Sequence, residues 1–260
     1  MVPRGLHSEW QLVRNAMHHC IEGPPTLGGV TVVFLVRHGR TSANTAGVLA
    51  GWTPGVHLDD VGREQAARVG QTLSGIRLKQ IIASPLDRTV QTAEAILDAQ
   101  RGRADIALDA RLGECHYGTW SGKKLSQLSK RPLWRTIQSN PSAVRFPGDQ
   151  GESLVEMQSR AVSAIREWND LLGRTASYAV VSHGDVIKSV LADALGMHLD
   201  MFQRIVVDPG SISVVHYSDG MPLVERINDR LGPGASVSGA PRKSVVGGGS
   251  GTDASPRNTG

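Results

Sequence analysis

Three short segments hold the residue types best suited to chemistry. Arg37-His38-Gly39-Arg40-Thr41 sets an imidazole between a guanidinium and a glycine. Ser84-Pro85-Leu86-Asp87-Arg88 turns the chain at a proline and then brings a second guanidinium. Ser182-His183-Gly184-Asp185 repeats the His-Gly pair. A neutral imidazole is a nucleophile or a proton carrier, and the planar fork of an arginine matches phosphate oxygens. Gly39 permits a tight turn and close backbone approach by a ligand. Taken singly, each has an ordinary reading. A lone histidine at a strand end is commonly structural, and Arg88 is equally an ion-pair partner for Asp87 or Glu94. Together they describe a cradle in which two imidazoles and at least one arginine converge on one anion.

Such convergence needs elements that end side by side. Thr31-Val32-Val33-Phe34-Leu35-Val36, directly before the first His-Gly, is a continuous β-branched apolar run, as in a strand buried on both faces. Gln80 to Ala83 is a short strand before the second segment, and Tyr178 to Ser182 a buried strand before the third. Helices are expected over Asp60 to Leu73 with Asp60 as N-cap, over Leu86 to Ala99, and over Val186 to Leu195. Glu152-Ser153 reads as a capping feature before a long helix through Trp168. Ser211 to Tyr217 and Leu223 to Ile227 are later strands, joined by a turn at Ser218-Asp219-Gly220. This alternation implies an α/β fold, a three-layer αβα sandwich around a mostly parallel sheet. Ligands of such sheets bind beyond the carboxyl ends of the strands, where all three segments fall. Arg88 lies in the first turn of a helix, where a cation is electrostatically out of place unless it serves a bound anion.

The chain has 260 residues, enough for one such domain. It divides into an N-terminal extension over 1–29, with a helical stretch from Glu9 to Cys20, a domain over 30–230, and a Gly/Ser-rich tail over 231–260. The tail is too poor in apolar residues to offset chain entropy and is expected to be disordered. The formal net charge is +4, of which the segment from Asp229 onward supplies half. That excess is too small to imply nucleic acid, and it suits an anionic small substrate. Cys20 and Cys115 form no disulfide framework, and His18-His19-Cys20 reads as a polar extension, so no metal is expected. No apolar run approaches the ~20 residues of a membrane helix, and no secretory leader is visible, so a cytoplasmic protein without membrane partners is expected.

Five blocks in order carry a family resemblance. They are Leu35-Val36-Arg37-His38-Gly39, Ser84-Pro85-Leu86-Asp87-Arg88-Thr89-x-Gln91-Thr92-Ala93, Leu112-Gly113-Glu114-x-x-x-Gly118-x-Trp120-x-Gly122, Gly151-Glu152-Ser153 and Val181-Ser182-His183-Gly184. The set resembles the signature of the histidine phosphatase (phosphoglycerate mutase-like) superfamily over roughly 31–228. Gly184-Asp185-Val186-Ile187-Lys188 is similar to actinobacterial members named as phosphomutases. The resemblance implies a phosphoglycerate mutase-like fold, no metal or cofactor, a phosphorylated small-molecule substrate and a homodimer. It makes His38 the nucleophile that forms a phosphohistidine, with Arg37, Arg88 and His183 around the phosphoryl group. Fixed cations suit that role, because a phosphoryl group in flight spreads its charge over equatorial oxygens. Glu114 matches the proton donor, and a carboxyl group beside a dianionic phosphate holds its proton more tightly. Asp185 is a rival donor. Thr41 and Asn44 are implied phosphate contacts, equally readable as turn residues, and Tyr117 an implied lining of the substrate mouth. Position 40 is Arg where many relatives carry Glu.

Hydrolysis is preferred over mutase chemistry. A mutase must hold a bisphosphorylated intermediate, which needs extra basic residues and a lid that excludes water. The mutases of the resembled family carry a Lys where this chain has Leu125, and an Arg-Arg pair that the segment 123–150 lacks. Lys123 and Lys124 are possible substitutes, so the phosphomutase remains the alternative. Leu133, Trp134 and Ile137 suggest an apolar lid or a partner contact. A non-catalytic phospho-ligand scaffold is the second alternative, and it has no need of His38, Arg88, Glu114 and His183 together.

Overall fold

Side-chain alternation along the strands sorts the interior into two cores. The computed structural model describes residues 29–100 and 104–230. The expected N-terminal helix, Cys20 and the tail lie outside the described residues. The strands are β1 (Thr31–Arg37), β2 (Gln80–Ala83), β3 (Ile106–Leu108), β4 (Ser177–Ser182), β5 (Ile212–Tyr217) and β6 (Leu223–Asp229). The α-helices are α1 (Ser42–Thr45), α2 (Asp60–Leu73), α3 (Asp87–Ala99), α4 (Leu125–Leu128), α5 (Pro132–Ser139), α6 (Leu154–Leu172) and α7 (Gly184–Ala194). Val33, Leu35, Ile82, Tyr178, Val180 and Val215 enter one core with apolar residues of α6 and α7. Their strand neighbours Phe34, Val36, Ile81, Ala179, Val181 and Val214 enter the other, with residues of α2 and α3. Successive strand side chains point to opposite faces, so both faces of the sheet are covered and the αβα sandwich is as expected.

The sheet order is β3-β2-β4-β1-β5-β6. β1, β2, β3 and β4 pair in parallel, and β5 runs antiparallel to both of its neighbours. Each buried Val, Leu or Ile contributes roughly 1.5–3 kcal/mol relative to exposure, which anchors the central strands and holds their ends in place.

Several local expectations shift. The N-cap of α2 is Asp59, whose carboxylate accepts from the Gly62 amide, and Asp60 is the first helical residue. α7 starts at Gly184, directly after His183, rather than at Val186. α1, β3, α4 and α5 are additions. Leu133 and Trp134, partly buried, pack against the first core, in which Ile137 is fully buried. Ser153 caps α6 in a reciprocal box with Glu156. Glu152 instead pairs with Arg160 at 2.5 Å. Among the described residues no helix is long and apolar enough to cross a membrane.

Candidate active site

The parallel register of β1 and β4 sets Arg37 opposite Ser182, so the next residue of each strand, His38 and His183, emerges at the same sheet edge. The His38 amide donates to the Ser182 carbonyl at 3.0 Å. The two imidazole rings lie 5.2 Å apart between centroids, tilted by 59°. β2 ends beside them, where Ser84 Oγ lies 2.8 Å from His183 Nε2. Arg88, in the first turn of α3, is anchored by Nη2 donating to the Gly51 carbonyl at 2.8 Å. Arg37 donates from Nη1 to the Val207 carbonyl at 2.7 Å. A side chain at Gly184 would stand 3.3 Å from the Arg37 Cζ, so the second His-Gly makes room for the guanidinium. At the first His-Gly, a Cβ at Gly39 would stand 2.3 Å from the Gly62 carbonyl oxygen, so the missing side chain there makes room for the backbone of α2.

Burial and charge fix the protonation of these groups. Burial, followed by the charges of Arg88 and Arg37, holds His38 neutral well below the usual histidine range. His183 is lowered in the same way by burial and then Arg88. His38 Nδ1 sits 2.7 Å from the Gly39 carbonyl oxygen. A carbonyl only accepts, so the ring proton resides on Nδ1 and the lone pair on Nε2. Glu114 is pushed up to about 7 by burial first and the Asp185 charge second, against Arg88. Burial lowers both arginines, and Glu114 opposes that effect at each. Cationic guanidiniums, neutral imidazoles and a protonatable carboxyl therefore share one buried region.

The remaining implied residues fall on either side of this group. Thr41 caps α1 in a reciprocal box with Asn44, so both take part in the turn that follows His38. Tyr117 is fully buried, like the two histidines and two arginines, and its hydroxyl donates to Asp185 Oδ2 at 2.9 Å. Asp185, the rival donor, is fully buried and ion-paired with Lys188 at 2.9 Å. Arg40 pairs with Asp59, the cap of α2, at 2.8 Å.

The model of the histidine phosphatase superfamily (branch 1) matches residues 33–230. The chain belongs to this superfamily. A protein of Erwinia tasmaniensis named Probable phosphoglycerate mutase GpmB is 34% identical over 187 residues, 71% of this chain and 84% of that one. Phosphoserine phosphatase 1 of Hydrogenobacter thermophilus is 30% identical over 203 residues, 75% of this chain and 91% of that one. The crystal structure of an Entamoeba histolytica phosphoserine phosphatase in complex with 3-phosphoglyceric acid superposes with a TM-score of 0.69 at 25% identity, covering 76% of this chain and 97% of that one.

Within this histidine phosphatase, sequence reasoning missed the residues that brace the cradle. Ser84 holds the His183 ring, and its signal was its place directly after a buried strand. The Thr92 hydroxyl accepts from the Gly39 amide at 3.1 Å and donates to the Arg88 carbonyl at 2.7 Å, tying the first His-Gly to α3. Arg160 donates to the carbonyls of Arg111, Gly113 and Glu114, pinning the turn that bears Glu114. Trp52 Nε1 donates to the same Glu114 carbonyl at 2.6 Å. No spacing signals the latter two, because their partners lie 46 and 62 residues away.

Proposed function

We propose that the chain hydrolyses phosphomonoesters through a phosphohistidine on His38. The observation that carries this reading is the Nδ1 contact to the Gly39 carbonyl, which leaves Nε2 with its lone pair inside a site flanked by two buried arginines. Nε2 attacks phosphorus, the P–O ester bond breaks, and the leaving alkoxide takes the proton of Glu114. Water then attacks phosphorus, Glu114 takes a proton from it, and the P–N bond breaks to release phosphate. Arg37 and Arg88 stabilise the equatorial oxygens, a task for which preorganised cations are the main source of rate. Among the described residues His183 Nδ1 is buried without a hydrogen-bond partner, and it suits the same role when Ser84 donates to Nε2.

Hydrolysis is favoured over phosphoryl return. Lys123, Lys124, Lys130, Arg131, Arg135 and Arg145, the bases of the segment that would have to hold a second phosphate, are all exposed to water. The purified protein should release phosphate from members of a panel of phosphoglycerates, phosphoserine and sugar phosphates, and His38→Ala should lose at least ~10³-fold in kcat/KM. Full turnover by that variant would sink the assignment. Interconversion of phosphoglycerates without phosphate release would replace it by a mutase.

A further inference from the structure

Three residues after Glu114 and two after His183 the chain buries a polar assembly that the phosphoryl chemistry above leaves unused. Asp185 and Lys188, one turn apart on α7, form an ion pair at 2.9 Å with side chains 0% and 2% exposed. The Tyr117 hydroxyl donates to the other Asp185 oxygen at 2.9 Å. Lys188 Nζ also donates to Gln203 Oε1 at 3.0 Å and lies 5.0 Å from the centre of the Phe202 ring. Stability explains such a pair poorly. Desolvating two charges costs about as much as their attraction returns, and apolar replacements are often neutral or better. A buried pair that stability does not account for leaves room for a role at the neighbouring site.

We propose that Asp185 is a positioning residue whose negative charge, held in the core by Lys188 and bridged by Tyr117 to the Glu114 turn, keeps Glu114 in its proton-donating form. The proposal rests on Glu114 as the donor. Two carboxyl groups sharing one buried region cannot both ionise cheaply. Lys188 selects Asp185 as the ionised member, so the available proton stays on Glu114. The charged groups that act on Glu114 are Asp185 on one side and Arg88 and Arg37 on the other. Removing Asp185 leaves burial alone to oppose the arginines, and Glu114 then surrenders its proton at lower pH.

Two variants test this. Asp185→Asn keeps size and the tyrosine contact. Asp185→Asn with Lys188→Met also removes the lysine charge and leaves a neutral core. The probe is the infrared band of the protonated Glu114 carboxyl, assigned by its loss in Glu114→Gln and followed through pH. In both variants the band should disappear at a pH lower by about half a unit or more, with the alkaline limb of kcat/KM moving alongside it. A merely structural pair would lower kcat without moving either midpoint. A band unmoved in whichever variant folds, by circular dichroism, overturns the proposal. Because the band needs no turnover, a wild-type protein without phosphatase activity refutes the hydrolase reading separately.

Discussion

At the scale of single residues, the two halves of the proposed reaction have separate pH limits. His38 must be neutral, and burial with Arg88 keeps it so far into the acid range. Glu114 must be protonated for the first step, and its carboxyl loses the proton as pH rises through about 7. The raised group thus contributes below that value and fails above it. The kcat/KM for an alkyl phosphate should be level on the acid side and fall above about pH 7 with the slope of one proton. Glu114→Gln should flatten that limb and cost ~10²–10⁴-fold, with a smaller loss for an aryl phosphate whose leaving group needs no proton. An unchanged limb in the variant would remove Glu114 from the mechanism. Both histidines were legible because each follows a continuous apolar strand. The contact of Tyr117 with Asp185 was not, since it joins residues 68 apart through packing alone.

At the scale of elements, the loop bearing His38 is held against the first turn of α2. A Cβ on Gly62 would stand 1.9 Å from the Arg40 carbonyl oxygen, and one on Gly39 2.3 Å from the Gly62 oxygen. Neither backbone has a flexible atom to give way. Gly62→Ala should therefore cost on the order of 3 kcal/mol, at the upper end for inserting a methyl group into a packed interior. It should also lower kcat by displacing the His38 loop. Urea unfolding with a parallel rate assay checks both, and a variant of wild-type stability would show that the two backbones can part. This contact was hidden in the sequence, where Gly39 read as room for a ligand. β1, β2 and β4 were readable as apolar runs, whereas β3 offers only Ile106, Ala107 and Leu108, half-buried or exposed. α4 has four residues and no side-chain cap, and α5 begins at a proline with none, so neither carries a start signal beyond Pro132. The N-cap of α2 was misplaced by one because Asp59 and Asp60 are adjacent and equally able to cap.

At the scale of the whole molecule, the four central strands separate two cores, and the cradle sits where three of those strands end. Its arginines reach back into the body of the fold, to the carbonyls of Val207 and Gly51. Heat inactivation should accordingly share its midpoint with loss of the sheet, followed by circular dichroism. Inactivation well below that midpoint would show that the cradle loosens on its own.

The pairing of Arg37 with Ser182 has a further consequence for partly denatured samples. A slip of one residue between those strands turns a side chain to the opposite layer, so no slightly misaligned pairing of His38 with His183 exists. A sample warmed into the transition is then a mixture of fully competent and incompetent molecules. Its apparent kcat tracks the competent fraction while its KM stays that of the native enzyme.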